Sequence, residues 1–212
     1  MNGLLLKEYH TLKRYIMSYG FAFLLFLVLS IYMRSAVYLQ SMLTMSLGML
    51  AFTGMTYDKM YGWEKLVLTM PVKRSSVVAS KYIASVIMAV VALVISTGIG
   101  MLMTQIFSTV EESVEEMAVV GIVLFGMILF VYAIVLPLIY KLGVERARIY
   151  MIAVVMIPFF LFLSLAEYVP MTLLQFVEEH IVVTGVLLVG VACVFYIASY
   201  CVSVKIYKGK EF

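Results

Sequence analysis

Long apolar runs separated by short polar ones set the plan of this chain. Runs at 15–33, 36–56, 82–106, 117–140, 149–166 and 181–204 carry almost no charge. A hydrocarbon core of about 30 Å is crossed by roughly twenty residues of α-helix. Inside lipid every backbone N–H and C=O has to find its partner within the segment or a closed barrel, and no alternating barrel pattern is present. The pattern therefore predicts an all-α membrane protein, a single transmembrane domain over residues 1–212 with six transmembrane helices.

The polar intervals have their own shapes. Over residues 3–14, Leu5, Tyr9 and Leu12, followed by Ile16, recur at helical spacing, while Lys7, Thr11 and Arg14 take another face. This suits an interfacial helix, although a simple basic flank on the first span explains it equally well. Residues 167–180 (EYVPMTLLQFVEEH) are too polar to span and too apolar for a free loop, which suggests short helices in the outer leaflet, broken at Pro170. The longest insert lies between the second and third spans. Its segment Gly62–Met70 is helix-compatible and ends at Pro71, and Ser75 is placed to cap a helix that runs into the third span.

Composition agrees with a membrane protein. Hydrophobic residues make up 65% and charged residues 13%, and the mean hydropathy is +1.10; a soluble chain carries about a quarter charged residues. The N-terminal MNGLLLKEYHTLKR lacks a signal-peptide layout, so the first span is expected to stay. Cys193 and Cys201 sit eight residues apart, about 12 Å on a helix and too far to bridge, and are expected to be buried small hydrophobes.

Charge then orients the spans. With six spans both termini share one side, and that side holds every one of the 15 basic residues except Arg34. Such an excess marks the cytoplasm. The acidic run EESVEE, with Glu111, Glu112, Glu115 and Glu116, falls outside as a solvated loop. The net charge of +3 reflects this topology and gives no reason to invoke nucleic acid.

Chemistry is sparse. No G-x-x-x-x-G-K-[ST] loop is present to cradle a nucleotide. His10 and His180 fall on opposite sides of the membrane, and no Ser/His/Asp or Cys/His set assembles in one leaflet. No Asp, Glu, Lys or Arg lies mid-span, which weakens an ion-coupled carrier; Gln40 and Gln105 lie near outer ends. The chain is expected to be no enzyme by itself and to hold no cofactor or metal.

The insert from Tyr57 to Tyr82 carries five of the 15 basic residues, the single Trp and one of the four prolines. Asp58 and Lys59 close the second span. Gly62, a Leu-rich short helix, Thr69–Met70–Pro71–Val72, the pair Lys73–Arg74 and Lys81 follow. The stretch GWEKLVLTMPVKRSSVVASKY resembles the coupling segment of ABC-2 type exporter membrane subunits. It is especially similar to a small bacterial branch that includes the permeases of phenol-soluble modulin exporters. The resemblance implies two membrane subunits, identical or paralogous, bound to two separately encoded ATPase subunits that hold ATP and Mg. It implies that Gly62–Thr69, with Trp63 and Leu66, docks on the ATPase within a coupling segment 58–81, and that Glu64, Lys65, Lys73 and Arg74 make polar contacts. Lys141, Glu145, Arg146 and Arg148 would form a secondary cytoplasmic contact.

In that family the second and fifth spans line the substrate route. Here Tyr38, Met42, Met45 and Met49 form one helical stripe, and Phe159 and Phe160 follow Pro158 in the fifth span. Met and aromatic surfaces adapt to varied apolar ligands, which would suit hydrophobic or amphipathic cargo such as peptides; ordinary helix packing explains the stripe as well. A stand-alone carrier or channel, or the membrane anchor of a sensing complex, remains the alternative, and a neighbouring ATPase gene would decide against both.

Overall fold

A computed structural model describes residues 3–4, 6–10, 19–69, 71–107, 112–165, 168, 170, 172 and 179–209. Residues 6–10 are helical. Then come α1 (Tyr19–Met33), α2 (Ala36–Gly48), α3 (Leu50–Met60), α4 (Trp63–Leu68), α5 (Arg74–Ile106), α6 (Val114–Leu142), α7 (Val144–Leu165) and α8 (Ile181–Lys208). No strand occurs among the described residues. Four stretches of these are long and apolar enough to cross a membrane, namely Ala36–Met60, Arg74–Ile106, Val114–Leu142 and Ile181–Lys208. Gly20–Met33 is a shorter apolar helix. The end of the expected N-terminal helix, the start of the expected first span (11–18) and most of the expected outer helices (167–180) lie outside the described residues.

Helix α6 is the centre of the bundle and touches α2, α5, α7 and α8. Small residues let it approach its neighbours closely, the usual basis of helix packing in lipid. A Cβ on Gly126 would overlap Leu188 of α8, and one on Gly185 of α8 would press on Ile122. Two apolar clusters result. One surrounds Val78, Tyr132, Leu136 and Tyr140 at the α4 end; the other gathers Ala36, Leu39, Leu43, Met103 and Met117 at the far end. Helix α8 packs one face only, so Cys193 and Cys201 are exposed on its outer face, contrary to the buried positions expected for them.

Buried polar groups tie the long helices together. Gln40 is fully buried; its amide donates to the Met117 carbonyl and the Thr97 hydroxyl, both at 2.9 Å. Thr44, one turn on, meets Ser96 at 2.5 Å. At the far end the Glu112 carboxylate accepts from the Ala36 amide at 3.2 Å, joining Ser35 as a cap on α2. Ser113 and Glu116 form a reciprocal capping box on α6. EESVEE therefore does more than the solvated loop expected of it, because helix N-termini present unpaired N–H groups that a carboxylate satisfies.

The membrane-crossing stretch Ala36–Met60 is jointed at Met49. The Phe52 amide bonds to the Met49 carbonyl at 3.1 Å, a tight i→i−3 turn. The Gly48 carbonyl instead accepts from the buried Tyr132 hydroxyl of α6 at 2.5 Å. A neighbour's hydroxyl inserted into the i→i−4 ladder is a recognised cause of a break.

Candidate functional site

The segment after α3 turns at Gly62, whose φ of +65° only glycine adopts without strain. This releases a helix of six residues, α4, whose last turn is closed by the Thr69 hydroxyl on the Leu66 carbonyl at 2.8 Å. The faces of α4 differ sharply. Val67 is 2% exposed against the α4-end cluster and Trp63 is half-buried, whereas Leu66 is 51% exposed, and Met60 and Tyr61 before the turn are more exposed still. Gly62, Thr69 and Pro71 are exposed, and the side chains of Glu64 and Lys65 lie outside the description.

Beneath α4 sits a closed ring of four charges. Lys7 pairs with Asp58, Asp58 with Lys81, Lys81 with Glu8 at 2.6 Å, and Glu8 with Lys7 at 3.1 Å. Glu8, Asp58 and Lys81 are buried, and the Lys7 ammonium also lies 4.7 Å from the centre of the Trp63 ring. Burial, and the Lys81 cation beside it, pull Lys7 below the usual lysine range. The four residues come from the N-terminal helical stretch, the end of α3 and the start of α5, with α4 resting on top through Trp63. A buried charge is tolerated only when paired and hydrogen-bonded, and here each carboxylate meets two ammonium groups.

The start of α5 is fixed on its other side as well. The Tyr82 hydroxyl lies 2.8 Å from Ser199 and 2.7 Å from Ser203 of α8. The Tyr196 hydroxyl donates to the Tyr82 carbonyl at 2.7 Å. Arg74, expected as a contact for a partner, donates to the Lys208 carbonyl at the end of α8 at 2.8 Å. Lys73 is the residue that precedes α5 and is exposed.

At the turn between α6 and α7, Lys141, Glu145 and Arg146 are exposed, and the Arg148 side chain lies outside the description. Lys59 of α3 pairs with Glu145 at 3.3 Å, so the two expected contact segments meet each other. The Tyr38, Met42, Met45 and Met49 stripe lies on the half-exposed to exposed face of α2, opposite buried Leu39, Gln40, Leu43 and Thr44. Phe160 is exposed on α7, and Phe159 lies in α7 with its side chain outside the description.

Asp58 and Lys81 lay in one expected coupling segment, whereas Glu8 was not anticipated and Lys7 was expected only on the basic face of an interfacial helix. The available signal was an acidic residue beside a lysine in an otherwise apolar and basic N-terminal stretch.

An all-helical bundle among the described residues, with four stretches long and apolar enough to cross a membrane, defines a multi-pass membrane protein. The family model for ABC-2 family transporter proteins matches residues 3–208, and the chain belongs to that family. It is thus the membrane permease component of an ABC transporter, a class that works with an ABC ATPase and is not itself the catalytic part. No curated protein and no solved structure matches the chain.

Proposed function

We propose that this chain is the membrane-spanning permease subunit of an ATP-driven exporter in a bacterial cell membrane. It moves hydrophobic or amphipathic cargo, amphipathic peptides among them, outward. Two copies of it, or one with a paralogue, bind two copies of a separate ATPase that carries ATP and Mg. The chain crosses the membrane six times, α1 and α7 being the first and fifth spans, and both termini and α4 face the cytoplasm.

The observation that carries this reading is the charge ring. A lever transmits force only if its mount is stiff. The ring joins the N-terminal helix to the ends of α3 and α5, and α4 sits on it through Trp63. Movement of an ATPase bound to the exposed Leu66 and Tyr61 face would therefore reach both membrane-crossing helices together. Lys73, Lys141 and Arg146 remain exposed for polar contacts, while Arg74 and Lys59 are held within the chain. The Met stripe of α2, with Phe160 of α7, would offer cargo an adaptable apolar surface.

Leu66→Asp tests the docking face. A carboxylate buried unpaired in an apolar contact costs several kcal/mol, so this variant should insert normally yet copurify poorly with the ATPase or lose export. Glu115→Gln, on the opposite side, should keep both. Full assembly and export by Leu66→Asp would sink the proposal.

A further inference from the structure

A cavity of about 10 Å³ borders the charge ring, between the N-terminal helical stretch, α3, α5 and α6. Glu8, Lys81 and Ser85 are its polar walls, and Ala51, Met55 and Leu136 are among its apolar ones. A buried water needs about 10–15 Å³ and two to four polar partners. Two hydrogen-bonding groups of the ring are unspent among the described residues. Glu8 receives both lysines on Oε1, which leaves Oε2 without a donor. Lys81 gives one N–H to Glu8 and one to Asp58, and an ammonium has three. Both residues are buried, where polar atoms are seldom left without a partner. Ser85 spends its one proton on the Tyr82 carbonyl at 2.9 Å and keeps a lone pair to accept. Lys81 also borders a cavity of about 30 Å³ together with Asp58, but Glu8 lines the smaller cavity and not the larger.

We infer that this cavity is a binding site for one ordered water, which accepts from Lys81 and donates to Glu8 Oε2 and to the Ser85 hydroxyl. Three hydrogen bonds are the usual complement of a buried water. The charges decide the class of ligand. A cation would stand against the Lys81 ammonium, and an anion against the Glu8 carboxylate. Two ammonium groups and two carboxylates leave the ring neutral, so it takes a neutral ligand that both donates and accepts. The volume excludes anything larger than water. The water also extends the ring to a further helix. Ser85 lies 2.7 Å from the Tyr196 hydroxyl of α8, so the hydrogen bonding of the ring continues through the water to α8. Such a bridge is nearly as favourable as a direct bond. The inference rests on the geometry of the ring alone and stands whether or not an ATPase docks on α4.

Crystals of the full chain grown from a lipidic mesophase, diffracting well enough to order buried water, provide the test. One peak should lie within about 3.2 Å of Lys81 Nζ, Glu8 Oε2 and Ser85 Oγ. Thermal unfolding in detergent gives a second reading at Ala51 on the cavity wall. Ala51→Thr and Ala51→Val crowd the space equally and differ in one hydroxyl. Each displaces the water, and only the Thr hydroxyl replaces its hydrogen bonds, so Ala51→Thr should unfold at the higher temperature. A cavity without a peak, a peak out of reach of Glu8 or Lys81, or Ala51→Val as the more stable variant overturns the proposal. A peak on Glu8 and Lys81 that misses Ser85 overturns the tie to α8.

Discussion

Lys81 is the residue on which the charge ring depends most. Lys7 and Lys81 each bond both carboxylates, but Lys81 is buried whereas Lys7 is partly exposed. Removing one member of a buried ion pair costs about 3–5 kcal/mol. Lys81→Gln should therefore lower stability by that order in detergent unfolding, and Lys7→Gln by clearly less. Asp58→Asn added to Lys81→Gln should cost less than the two changes summed, since groups in one network couple. Equal losses for the two lysines would show that the ring is not organised around Lys81. In the sequence, Asp58 and Lys81 stood out as polar residues bordering apolar runs. Their partnership with Glu8 did not, because hydropathy gives no distance between segments remote along the chain.

Among the elements, the apolar runs were legible because bilayer thickness and backbone satisfaction leave few alternatives. Observed α5, α6 and α8 each contain a run expected from hydropathy. The joint between α2 and α3 was not legible, for no Pro or polar break marks Met49; its cause is Tyr132 on another helix. Tyr132→Phe should return the Gly48 carbonyl to the Phe52 amide and make the helix continuous. Amide exchange at Phe52 should then slow, and unchanged exchange would remove Tyr132 as the cause. Glu112 was likewise invisible as a cap, since EESVEE resembles an ordinary solvated loop until Ala36 is set beside it. Glu112→Gln keeps a hydrogen bond but loses the charge at the start of α2, so it should destabilise by about 0.3–1 kcal/mol, and less at high salt. No salt dependence would contradict a charge-based cap.

For the molecule as a whole, α4, the lever of the proposed function, rests on a mount tied by the ring below it, by Tyr82 bonded to α8 and by Arg74 on the end of α8. The exposed Leu66 face was legible from the short amphipathic pattern ended by Pro71. The stiffness of the mount was not, because it arises from contacts between four separated segments. Spin-label distances measure that stiffness directly. In a chain with Cys193 and Cys201 replaced by Ser and assembled with its ATPase, labels at Thr69 and Ser76 report the lever against the base of α5. Labels at Thr69 and Phe107 report it against the far end. On ATP binding the first distance should stay narrow and fixed while the second shifts, and Lys81→Gln should broaden the first. A first distance that changes with ATP, or one indifferent to Lys81→Gln, would mean that α4 moves independently of the spans and would contradict the account.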